Sequence, residues 1–105
     1  MNVLRLEAVG PLIATSGDAS NLVGATWGQE IDVVVVPVTR LHADFFRLST
    51  GLAGEVLQRL VNHRLRLVVL GDVSAQVAAS EAFRDFVREA QRGRDVRFVL
   101  DEAAW

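Results

Sequence analysis

The chain predicts a single α/β domain spanning residues 1–105, with a mixed, mostly parallel sheet of about five strands and the element order ββαβαβαβ. Three observations carry this expectation. Two apolar runs rich in β-branched residues, 31–38 and 65–70, have the composition of strands covered on both faces. Two longer segments, centred on 48–64 and 81–92, repeat apolar residues at helical spacing. Their alternation implies parallel strands joined by right-handed helical crossovers.

Size and composition agree with one core. A chain of 105 residues with 50% hydrophobic content can bury a substantial interior, and two cores at this length would each be marginal. The net charge of -2 gives no electrostatic reason to expect a nucleic acid or a membrane as partner. There is no cysteine, so disulfides and thiolate chemistry are excluded, and with two histidines no metal site is expected. The N-terminal apolar stretch is interrupted by Arg5, Glu7, Gly10 and Pro11, a poor signal peptide and too short for a span. A cytoplasmic protein is therefore expected. All basic residues are arginine, a pattern typical of GC-rich bacterial coding that says nothing of function.

Residues 3–9 alternate as a strand does, Gly10-Pro11 signals a turn, and 12–15 reads as a short returning strand, so an N-terminal hairpin is predicted. Residues 16–18 can cap a helix, with Asp18 as the preferred cap. That short helix directs Leu22, Val23 and Thr26 or Trp27 inward and stops at Gly28. In the strand 31–38, Pro37 must stand at the end because it cannot donate to a ladder.

The long helix starts between Asp44 and Thr50 and runs to about Arg64, with Leu48, Leu52, Ala53, Val56, Leu57, Leu60 and Val61 on its apolar arc. Opposite them Gly51, Glu55, Gln58 and Asn62, at i, i+4, i+7 and i+11, form a narrow polar stripe. Strand 65–70 ends in Gly71-Asp72. A loop then leads to Ser80 and a helix burying Phe83, Phe86, Val87 and Ala90, with Gly93 at its C-cap. Strand 96–100 follows, and residues 101–105 form a tail whose Trp105 docks on the body.

The run FF-x-L-x-T-G-x-A-G-E-x-L-Q-R-x-x-N-H-R from Phe45 to Arg64, with Gly71-Asp72, Ser80 and the later Phe83-Arg84-Asp85-Phe86, resembles the bacterial domain-of-unknown-function family 4180. The resemblance implies no particular activity. The element order is also similar to that of STAS domains of anti-sigma-factor antagonists, which carry a regulatory phosphoserine in an Asp-Ser-Ser-Gly-Leu segment at the start of a long helix. Here Ser49-Thr50-Gly51-Leu52 follows Phe46; Thr50 matches the modified position, Ser49 the one before, and Leu48 stands where that segment has Asp. This resemblance implies a regulatory module that phosphorylation at Thr50 or Ser49 could control.

The candidate binding residues are Asp44, Phe45, Phe46, Ser49, Thr50, Gly51, Gly54, Glu55, Gln58, Asn62 and Asp72. Ser49 and Thr50 can cap a helix, and a phosphate there would meet its positive end. Gly51 and Gly54 are costly inside a helix, which suggests close approach by a packed neighbour or by a partner. Glu55, with Arg59 at ion-pair spacing, Gln58 and Asn62 suit either a solvated face or a recognition strip. One of Phe45 and Phe46 is expected to be buried and the other partly exposed as an interface anchor. Asp44 and Asp72 follow buried strands, where ligands gather in open α/β sheets.

No phosphate loop, nucleophile elbow or zinc motif is present, so no catalytic residue and no cofactor is nominated. Two readings follow. One is a small regulatory module that binds an unidentified protein partner, or a second copy of the chain, through the long helix. The other is a small-molecule-binding protein or small enzyme with a pocket at the C-terminal ends of the strands, using Asp44, Glu55 and Asp72.

Overall fold

A computed structural model describes residues 2–101; the expected docking of Trp105 lies outside them. The described residues form β1 (Val3–Arg5), α1 (Ser16–Gly24), β2 (Val33–Pro37), α2 (Leu52–Asn62), β3 (Arg66–Leu70), α3 (Ser74–Ala79), α4 (Glu81–Arg92) and β4 (Val96–Val99). The four strands lie in the order β1-β2-β3-β4 and every pair is parallel.

Right-handed crossovers between successive neighbouring strands always return on the same side. The helices accordingly share one face. Buried residues of α1 (Ala19, Leu22, Val23), α2 (Leu52, Ala53, Val56, Leu60) and α4 (Phe83, Ala90) pack with Val34, Val36, Leu67, Val69, Val96 and Phe98 of the sheet. Strand side chains alternate with period two, so the opposite parity makes a second cluster of Val33, Val35 and Val68, flanked by Val3, Leu70 and Val99. No described helix contributes to it.

The expected hairpin does not form. Residue Ile13 makes one isolated bridge, parallel to Leu41, where the Ile13 amide donates to the Arg40 carbonyl at 2.7 Å. The chain between β1 and Ile13 is held instead from β2's far end. There Arg40 donates through Nε to the Pro11 carbonyl at 2.8 Å and through Nη1 to the Glu7 carbonyl at 2.9 Å, and Thr39 Oγ1 donates to the Ala8 carbonyl. With the segment tied down this way, Gly10-Pro11 never reverses it.

The N-cap of α1 is Thr15, with Asp18 serving as the reciprocal member of a capping box rather than as the cap itself. The Asp18 carboxylate accepts the Ala14 amide at 2.9 Å and the Thr15 amide at 3.1 Å. These bonds, that from Ala14 foremost, hold its pKa below the ordinary 3.8, with partial burial opposing them. A depressed carboxyl contributes stability above its unfolded pKa and loses it as pH falls through the folded value. We therefore expect the start of α1 to loosen only as pH drops below about 3.8, checked by carboxyl titration in NMR spectra; an Asp18 midpoint at or above that value would contradict the capping box. The helix ends at Gly24, earlier than Gly28; Thr26 turns in and donates its hydroxyl to the Val23 carbonyl at 2.7 Å, while Trp27 is left exposed.

Pro37 closes β2 as its chemistry requires. From there to α2 the chain makes three 3-10 turns, Val38–Arg40, Ala43–Phe46 and Leu48–Thr50. The long helix thus starts at Leu52, later than its apolar pattern suggests, because Gly51 adopts φ 79, a left-handed conformation that glycine takes without strain. Its C-terminal end is a Schellman closure: Leu65 N–H bonds to Leu60 O and Arg64 N–H to Val61 O, both at 2.9 Å, with Arg64 left-handed at φ 59.

Beyond β3, the expected loop contains the six-residue helix α3. Helix α4 is capped by Ser80, whose Oγ accepts the Phe83 amide at 3.1 Å. Gly93 does take the C-cap position, but in an extended conformation. On its outer side Arg84–Glu81, Arg88–Asp85 and Arg92–Glu89 pair at 3.5–3.6 Å, all well exposed, which is a solvated mixed-charge face of small energetic weight.

Candidate functional site

Helical periodicity sorts α2 into two sides. Leu52, Ala53, Val56 and Leu60 point into the core, so Gly54, Glu55, Gln58, Arg59, Asn62 and His63 must point out. Helix α1 packs beside α2, and between them lies an open groove of about 760 Å³. It is lined by Ser16, Gly51, Gly54, Glu55, Gln58, Arg59, Asn62 and His63. Five predicted site residues, Gly51, Gly54, Glu55, Gln58 and Asn62, are therefore brought onto one concave surface.

Internal bonds hold most of that surface in place. Gln58 Nε2 donates to Asn62 Oδ1 at 2.8 Å, one turn along the helix. Arg59 Nη1 donates to Ser20 Oγ of α1 at 2.7 Å, and that hydroxyl donates to the Ser16 carbonyl at 3.3 Å. Arg59 thus turns toward α1 rather than toward Glu55. His63 Nδ1 lies 2.9 Å from the Arg59 carbonyl, which can only accept, so Nδ1 is the donor in that contact. The Glu55 carboxylate, by contrast, has no hydrogen-bond or ion-pair partner among the described residues.

The two glycines separate cleanly. Gly51 is explained by its left-handed backbone, yet Gly54 sits in regular helix with nothing within 4 Å of the place a Cβ would occupy. The expectation that a neighbouring element packs against Gly54 is not met within the described chain. Ser16, Arg59 and His63 join the surface without having been singled out as site residues, and Ser20 supports it by accepting from Arg59. Arg59 and His63 follow the stripe's own spacing and could have been added to it, whereas the two serines come from the packing of α1.

The other candidates lie off the groove. Phe45 is fully buried and Phe46 half-buried, and both belong to a chain of edge-on rings: Phe45–Phe46 at 5.6 Å, Phe46–Phe83 at 5.3 Å and Phe83–Phe98 at 5.8 Å. The pair thus divides as expected, Phe45 buried and Phe46 partly exposed, and only the nomination of Phe45 as a contact residue is corrected, since it offers no surface. Thr50 Oγ1 donates toward the carbonyls of Asp44 at 2.7 Å and Arg47 at 2.8 Å and accepts the Leu52 amide at 3.3 Å. That hydroxyl latches the 44–50 loop. Ser49 is exposed, with no side-chain hydrogen bond among the described residues.

Asp44 and Asp72 serve local structure. The Asp44 amide donates to His42 Nδ1 at 3.0 Å, and its Oδ2 lies 3.6 Å from the same nitrogen. Asp72 Oδ1 accepts the Ser74 amide at 2.8 Å, and the Ser74 hydrogen bonds hold its pKa below the ordinary carboxylate value. A lowered pKa suits a turn, not a proton donor at neutral pH. Neither residue lines the groove that holds Glu55. Among the described residues no group of three metal-binding side chains converges, and no helix is long and apolar enough to cross a membrane.

Fold and site together define a small α/β domain with one-sided helices and a polar groove along the central helix. The family model described as Domain of unknown function (DUF4180) matches residues 1–105, and the chain belongs to that family. Comparison with the curated proteins and with the solved structures finds no match.

Proposed function

We propose that this domain is a small interaction module that docks a protein partner on the outer face of α2. The observation that supports it best is Gly54. A glycine in an exposed helical turn costs about 1 kcal/mol relative to alanine, and nothing inside the described chain requires it. A chain approaching from outside does. The groove around it is open rather than enclosed, which suits a docked chain better than a small molecule. Its polar groups, Glu55, Gln58 and Asn62, stand in line beside the gap left by Gly54.

The resemblance of the Ser49-Thr50-Gly51-Leu52 segment to the phosphoserine segment of STAS-type antagonists supports a regulatory setting, with hydroxyl residues directly before the long helix. Of the two, Ser49 is the hydroxyl we propose as the modified one, since it is exposed and makes no side-chain hydrogen bond among the described residues. A phosphate on Thr50 would face two carbonyl oxygens and lose the one proton that the hydroxyl shares between them.

The test is a combined Glu55→Ala, Gln58→Ala, Asn62→Ala variant used as bait in the native host. Surface replacement should leave stability within about 0.5 kcal/mol of the parent while the co-purified partner disappears. A variant that retains its partner in full would remove α2 as the docking face.

A further inference from the structure

We infer that the groove's occupant is a second copy of this chain, with the two α2 helices crossing antiparallel about a two-fold axis beside residue 57. This deepens the reading of the α2 face as a docking surface and rests on it. The argument is charge complementarity. Along the outer face Glu55 lies in the first turn of α2, Arg59 one turn further on, and His63 at the C-cap. A two-fold axis reverses that order in the partner. Glu55 of one copy then faces Arg59 of the other, and the pair is made twice, as an isologous interface demands. A parallel crossing would set Glu55 against Glu55 and Arg59 against Arg59.

The unspent bonding capacity of each group agrees. Glu55 has no partner among the described residues, and Arg59 gives one of its five N–H donors to the neutral hydroxyl of Ser20. Pairing with a carboxylate across the axis therefore breaks no existing ion pair. In the same register Gly51 faces the partner's Asn62 and His63, and Gly54 faces its Gln58 and Arg59. The space without neighbours at Gly54 is where those long side chains would lie. Gln58 and Asn62, already bonded to each other, sit on the same crossing surface.

The experiment is sedimentation equilibrium of the full chain over a wide concentration range, with circular dichroism as the folding control. The parent protein should self-associate as a dimer. Glu55→Arg and Arg59→Glu should each weaken association about tenfold or more, since either reversal sets like charges across the axis at both pairs. An equimolar mixture of the two variants should dimerise again, because each then supplies the sign the other lacks. No effect confined to one chain can mimic that rescue. Should either reversal disturb folding, Gly54→Arg replaces it: the site has no neighbours, helix propensity improves, and only the crossing is blocked. A parent protein that stays monomeric, a dimer indifferent to the reversals, or a mixture that fails to associate would each overturn the inference. If the parent is monomeric and the triple-alanine bait still loses a foreign partner, the docking surface stands and only its occupant changes.

Discussion

Replacing Phe83 with alanine should lower the unfolding free energy by about 3–5 kcal/mol, the range for removing a large aromatic side chain from a packed core. The residue is fully buried and joins three parts of the chain. Its ring meets Phe46 from the 38–50 connection, Phe98 from β4, and Phe86 on its own helix. The cavity would open between elements that reach the site from different directions, so collapse would be incomplete. Urea denaturation checks it; a loss under about 1 kcal/mol would mean that the ring cluster does not tie the connection to α4 and the sheet. Phe46→Ala, half-buried in the same chain of rings, should cost less.

Gly71→Ala should be the most damaging small change, at about 2–4 kcal/mol. Two independent costs add there. The backbone has φ 135, which L residues rarely adopt, and an added Cβ would lie 2.9 Å from Val38 Cγ2 and 3.2 Å from Val38 Cβ. The amide is also committed, bonding to the Val99 carbonyl at 2.9 Å, so the turn cannot simply rotate away. Adding Val38→Ala should recover the steric part and leave the backbone part, a separation that a double-mutant cycle measures. Full recovery would show that the backbone conformation at Gly71 is not strained, and no loss at all would contradict the close approach.

Much of this architecture is legible in the chain's patterning. The β-branched runs locate β2 and β3 because strands covered on both faces need continuous apolar sequence. The outward stripe of α2 is readable because 3.6-residue periodicity allows Glu55, Gln58 and Asn62 no other common side. Elements held by distant or single contacts are not. The N-terminal segment alternates as a hairpin strand would, but Arg40 and Thr39, 29–33 residues away, determine its path. The three 3-10 turns between Val38 and Thr50 are each too short to show a period, and α3 has only six residues. Apolar spacing drew Leu48 into the long helix, whereas the left-handed Gly51 separates them.

The site shows the same division. Glu55, Gln58 and Asn62 follow from the helix alone, while Ser16 reaches the groove, and Ser20 reaches Arg59, only through the packing of α1 against α2. Asp44 and Asp72 were credible as a carboxylate pair for as long as their local bonds were unseen. Which member of the aromatic pair is buried became visible only with the ring cluster, which encloses Phe45 and leaves Phe46 partly exposed.

If the outer face of α2 is a docking surface, Gly54→Gln should close it. Filling an unoccupied helical position should leave the fold as stable as before or up to about 1 kcal/mol more so, and should abolish association through the groove. Binding of the variant is the quantity to measure, against whichever chain the parent protein binds. A stable Gly54→Gln domain that no longer associates is the predicted result. Undiminished association with that side chain in place would mean that the outer face of α2 is not where a partner docks.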